Sequence, residues 1–147
     1  MPILMSYQAS PEGIKLLEKH EGRRNRPYRD SEGYLTVGVG HNLDAVPLSD
    51  RVIDLIRDED IDAIAHQVSG VVGDVAFAAL DPVRQWALID MGFMGPEKLA
   101  LFKKLLAAVR SGNWQAAHDE ALNSKWAAQV GSRAVDVASM LKTGEWP

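Results

Sequence analysis

His20-Glu21-Gly22, followed by Tyr28-Arg29-Asp30-Ser31-Glu32-Gly33-Tyr34-Leu35-Thr36-Val37-Gly38-Val39-Gly40-His41, decides how the chain is read. A carboxyl group ends an amphipathic segment. A second carboxylate opens a Gly-rich hairpin, and a hydroxyl and an imidazole lie on the returning strand. Two carboxylates held apart are the basic equipment for breaking a glycosidic bond.

Upstream, Ser10-Pro11-Glu12 predicts a helix start, with a capping serine, a first-turn proline and an acid at the positive end of the dipole. Ile14, Leu17 and Glu21 then share a face, and Gly22 is a stop. Tyr28, Tyr34, Thr36, Val37 and Val39 favour strands, and Ser31-Glu32-Gly33 is a turn, which predicts a hairpin or three-stranded meander.

Downstream, Ser49 caps a long helix from about Asp50 to Val68 or beyond, with Ile53, Ile56, Asp60, Ile64 and Val68 on one face. Gly70 and Gly73 weaken its end. Asp81-Pro82 begins another helix carrying Val83, Trp86, Ile89, Asp90 and Phe93 on one side. Leu99 to Val109, Trp114 to Leu122 and Ser132 to Leu141 read as further helices. The order gives an α+β fold: a helix and small sheet over about 10–48, a linking helix over about 49–72, and a helical lobe over about 73–147. A cleft is expected where the lobes meet.

The 147 residues, 46% hydrophobic and 24% charged, suit one soluble domain with a core. There is no cysteine, so disulfides and thiolate metal sites are excluded. A formal net charge of −4 argues against generic nucleic-acid binding. Asp58, Glu59, Asp60 and Asp62 read as a solvated face. The cluster Arg23, Arg24, Arg26 and Arg29 reads equally as a solvated face or as an attractor of an anionic polymer. No apolar run is long enough to span a membrane, and Met1–Met5 is too short for a signal peptide. Synthesis in a cytoplasm is expected, and if the protein acts outside, something else must release or carry it.

Glu21 is the candidate general acid, since apolar packing and nearby helix carbonyl ends would favour its protonated form. Asp30 can cap its turn, or stay ionised and hold a water. Glu32 reads as a solvent-facing turn residue. Thr36 could position the same water through its hydroxyl. Gly38 and Gly40 suggest a close approach to the backbone, by a sugar chain or by a packed helix. His41 reads as structural, with Asp60 as a partner tying the hairpin to the long helix. The other histidines are too scattered to bind a metal, and no metal or cofactor is called for.

Glu21, eight residues, Asp30, five residues, Thr36, then Gly38-Val39-Gly40-His41 resembles the signature of the T-even bacteriophage lysozymes, the endolysins of glycoside hydrolase family 24. Asp60 falls where that family pairs an aspartate with the histidine. Leu80 to Phe93 resembles its central buried helix, and Ser124-Lys125-Trp126, Gln129 to Ala134 and Thr143 to Trp146 resemble its end. The resemblance implies a lysozyme-like fold and an inverting muramidase acting on bacterial peptidoglycan as a monomer. It implies that Arg133 pairs with Glu21 and that Phe93 and Gln129 lie near the cleft. Asp90 and Lys125 depart from the asparagine and arginine common there, and the chain is acidic where many members are basic. Two other readings keep the fold: a lytic transglycosylase, and a glycan-binding module that does not cut.

Overall fold

A computed structural model describes residues 7–147. Met1–Met5, read above as too short for a leader, lie outside the described residues. Helix α1 spans Pro11–Glu21. Ser10 Oγ accepts the Gly13 N–H at 3.1 Å, and Gly22 ends the helix at φ 78° with its N–H on Glu18 O. The caps are as read, but the apolar stripe is not covered: Ile14 and Leu17 are 47% and 52% exposed. The strand that follows, Arg-Asn-Arg-Pro-Tyr-Arg, has little apolar surface to offer a partner helix.

Three strands form an antiparallel meander in the order β1 (Arg24–Arg29), β2 (Leu35–Gly38) and β3 (His41–Asn42). Tyr28 pairs with Thr36 and Arg29 with Leu35, and the register slips toward Arg24 and Gly38. Pro27, which has no N–H to give, sits in that irregular stretch of an outer strand, where the loss costs least. Gly38-Val39-Gly40 connects Val37 to its partner His41, with φ +68° and +69° at the two glycines.

Contacts within the chain group into two units, one ending at Asp54 and one beginning at Leu55. The boundary falls inside α2, Asp50–Val72, whose first turn is capped by Ser49 Oγ on the Val52 N–H. The common apolar face expected on α2 is covered only in its second half. Ile53 and Ile56 are about half exposed, whereas Val68 and Val72 are buried.

The second unit holds the apolar core: Val68, Val72, Leu88, Met91, Leu99, Leu105, Val137 and Leu141 are all below 2% exposed. It is built from α3 (Asp74–Ala78), α4 (Pro82–Gly92), α5 (Pro96–Leu99), α6 (Lys103–Ser111), α7 (Trp114–Leu122), α8 (Lys125–Val130) and α9 (Ser132–Thr143). Helix α4 buries Val83, Ala87, Leu88, Ile89, Met91 and Gly92, more than the single face read for it. Gly92 allows the close approach to α2, since a Cβ there would fall 2.5 Å from Val68 Cγ2.

Leu99 to Val109 is two helices, not one. Ala100 to Phe102 is a turn closed by the bonds Leu101 N–H to Lys98 O and Phe102 N–H to Leu99 O, and Phe102 takes a non-helical ψ of 61°.

Two arginines tie helix ends. Arg84 donates from Nε to Leu141 O at 2.8 Å and from Nη2 to Lys142 O at 2.9 Å. It also pairs with the α4 cap Asp81 at 3.1 Å and stacks 4.0 Å over Trp114. Arg110 donates to Val72 O and Val71 O, covering the orphan carbonyls that end α2.

Candidate active site

Glu21 is the last residue of α1 and is exposed. Among the described residues of the first unit no apolar packing gathers around it, since α1 keeps its own apolar side chains half exposed. What touches Glu21 is the glycine turn. A Cβ on Gly40 would stand 3.0 Å from Glu21 Oε2, 3.1 Å from Cδ and 3.2 Å from Cγ. Gly40 is thus a seat for the glutamate carboxyl, while Gly38 has nothing within 4 Å of a hypothetical Cβ. On the other side of Gly22, Arg23 Nη1 bonds Glu18 Oε1 at 3.0 Å, bracing the joint between α1 and β1.

Asp30 starts the β1–β2 turn and is half-buried. Its Oδ1 accepts the N–H groups of Glu32 and Tyr34, both at 2.9 Å. This is the turn-capping role open to any aspartate in such a position. Among the described residues, Oδ2 takes no hydrogen bond. Glu32 is exposed, as read.

Thr36 is 3% exposed and is the only buried residue among those described in the first unit. Its hydroxyl donates to Tyr34 O at 3.0 Å, and the same carbonyl accepts the Asp30 N–H at 3.0 Å. The Tyr34 backbone therefore holds both side chains, the carboxylate through its N–H and the hydroxyl through its C=O. With its proton committed, the Thr36 oxygen presents lone pairs and can accept a hydrogen bond from a further group.

His41 Nε2 lies 3.0 Å from Val46 O, which fixes the proton on Nε2, since a carbonyl can only accept. Three residues to which the sequence reading gave no part in the site shape this unit. Asn42 Oδ1 accepts from the Asp44 and Ala45 N–H groups at 3.0 Å each. Asp44 Oδ2 accepts the Leu35 N–H at 2.7 Å and lies 3.6 Å from Arg29 Nη1. Arg29 Nη1 also donates to Gly33 O at 3.1 Å. An Asn-x-Asp pair at the end of a short strand is the sequence signal for such a turn, but it is common in loops.

The remaining candidates lie in the second unit. Phe93 caps the end of α4 and is 44% exposed. Gln129 on α8 and Asp60 on α2 are exposed. Arg133, at the start of α9, donates from Nε to Asp90 Oδ1 at 2.6 Å and from Nη2 to Asp90 O at 2.8 Å. An aspartate at position 90 thus gives Arg133 a charged partner on α4.

The phage lysozyme family profile matches residues 18–139, a span that contains Glu21, Asp30, Thr36 and Arg133. The chain belongs to the phage lysozyme family, which places it among the lysozyme-type glycoside hydrolases of peptidoglycan. Among individual relatives, it is 26% identical to probable T4-type lysozyme 1 of Dictyostelium discoideum, over 88% of this chain and 92% of that one. Probable T4-type lysozyme 2 of the same organism is 25% identical over the same shares. The pre-baseplate central spike protein Gp5 of Enterobacteria phage T4 is 26% identical over 88% of this chain, which spans 27% of that longer protein.

Proposed function

We propose that the chain is a muramidase that hydrolyses the β-1,4 bond between N-acetylmuramic acid and N-acetylglucosamine with inversion, and that it serves bacterial cell-wall lysis. Glu21 protonates the leaving oxygen. Asp30, through Oδ2, takes a proton from the attacking water while Thr36 accepts that water's second hydrogen. Gly38 offers a bare backbone to the glycan, Gly40 seats the Glu21 carboxyl beside it, and Phe93 and Gln129 add contacts to the glycan. His41, Asp60 and Arg133 serve as supporting residues rather than catalytic ones. The protein acts as a monomer without metal or cofactor, is made in a host cytoplasm, and reaches the wall by another agent's release. Among the described residues, no helix is long and apolar enough to cross a membrane.

The observation that carries this reading is the joint tethering of Asp30 and Thr36 to one residue's backbone. A pair held that closely suits one small nucleophile, and a transglycosylase, which uses the sugar's own hydroxyl, has no need of it. Inversion also expects the Glu21 and Asp30 carboxyls to stand roughly 6.5–9.5 Å apart. NMR of a soluble wall oligosaccharide during cleavage tests the proposal. The inverted anomer should appear first, and Glu21→Gln should lose a factor of roughly 10²–10⁴ in rate while keeping its fold. A retained anomer or anhydro-sugar ends would sink it.

A further inference from the structure

Strand β3 is two residues long, so the ladder beside β2 would run out at Leu35. It is prolonged by Leu43, whose N–H donates to Leu35 O at 2.8 Å, and then by a side chain: Asp44 Oδ2 takes the Leu35 N–H at 2.7 Å. The Asn42 side chain folds the turn that presents Asp44. The same Asp44 oxygen faces Arg29 Nη1 at 3.6 Å, and that nitrogen holds Gly33 O at 3.1 Å. Leu35 and Arg29 are the paired residues that close the turn from Asp30 to Tyr34. Asp44 therefore grips both strands at the base of this turn and, through Arg29, its far side.

We propose that Asp44, acting with Arg29, is a positioning residue for the Asp30 carboxylate; the inference rests on the reading of Asp30 as the base. The Asp44 and Arg29 side chains are 46% and 67% exposed, and exposed ion pairs add little stability. The signature of their loss is therefore in turnover rather than in melting temperature. Their removal frees Gly33 and Leu35 and lets the Glu32 and Tyr34 N–H groups, which aim Asp30 Oδ1, drift.

The test uses Asp44→Ala, Asp44→Asn and Arg29→Met on a soluble peptidoglycan oligosaccharide. Asp44→Ala should lower kcat about tenfold and leave KM within about twofold, since displaced catalytic groups cost turnover. Asp44→Asn, whose carbonyl still accepts from Leu35, should recover at least half of that loss. Amide NMR should show the Glu32 and Tyr34 resonances moving in Asp44→Ala and those of α7 unmoved. Should Asp44→Ala not fold, Arg29→Met carries the same expectation of reduced kcat and steady KM. A folded variant with wild-type kcat, or a loss confined to KM or to melting temperature, overturns the proposal. The base reading fails separately: it falls if Asp30→Asn stays fully active, whatever Asp44 does.

Discussion

Replacing Gly40 with alanine separates the two demands the structure places on that residue. The first is backbone: Gly40 has φ +69°, a left-handed conformation that costs an L-residue about 1–2 kcal/mol. The second is space: the new Cβ would stand 3.0–3.2 Å from the Oε2, Cδ and Cγ atoms of Glu21. Contacts of this length are tighter than ordinary van der Waals packing, so the carboxyl must give by a few tenths of an ångström. Misplacing a reacting group by about 1 Å can cost 10²-fold in rate, so a shift of a few tenths should lower kcat by about threefold to tenfold.

Gly112→Ala is the matched control. Gly112 has φ +71°, lies at the end of α6, and has nothing within 4 Å of its added Cβ. Both variants should lose about 1–2 kcal/mol in urea denaturation, or roughly 3–6 °C in melting temperature. Only Gly40→Ala should lose turnover on a soluble wall oligosaccharide. Equal activities in two equally destabilised variants would refute the seat given to Glu21, and a stable but inactive Gly40→Ala would refute the strain argument.

Three further outcomes are expected. Thr36→Val should lower kcat by up to about tenfold and Thr36→Ser should restore most of it, because one buried hydrogen bond is worth about 0.5–1.5 kcal/mol; an active valine variant would remove Thr36 from the water site. Arg84→Met should cost about 2–4 kcal/mol in urea denaturation, since it strips two helix-end carbonyls, Asp81 and Trp114 of a half-buried partner; a loss under about 1 kcal/mol would contradict this. Burial raises the Asp81 pKa, but hydrogen bonds from the Arg84 N–H and guanidinium outweigh it, and the net shift is downward. The resulting stability is present above the ordinary aspartate range and is lost as pH falls through the lowered folded value, so the gap between wild type and Asp81→Asn should close in acid; a gap independent of pH would count against it.

The site was legible where residue type and local geometry coincide. Asp30 heads a turn that needs an aspartate, and Ser10, Ser49 and Asp81 cap helices by the rules of the first turn. Glu21 ends its helix as the pattern implies, but the apolar packing read around it does not arise within the first unit. The spacing of Ile14, Leu17 and Glu21 marks an apolar face, yet spacing carries no information about whether anything covers it. The same limit applies to Ile53 and Ile56 on α2. Leu99, Phe102, Leu105, Leu106 and Val109 keep helical spacing across the turn that divides α5 from α6, and no glycine or proline marks that turn. The roles of Asp44, Arg29, Arg84 and Arg110 were missed because much of their work is done on backbone carbonyls and amides, which leave no trace in side-chain patterning. Of the two hairpin glycines read as places of close approach, Gly40 is one, where the visitor is Glu21, while Gly38 has nothing within 4 Å of an added Cβ.

Helix α2 is uneven along its length. Residues 50–60 are all exposed, while Val68 and Val72 are fully packed and Arg110 holds the last carbonyls. A helical stretch of about a dozen residues without tertiary cover is marginal in water. In deuterium the two halves should therefore separate by exchange rate. Amides near Ile56 to Asp60 would label through local fraying, and those near Val68 to Val72 only when the second unit's core opens as a whole.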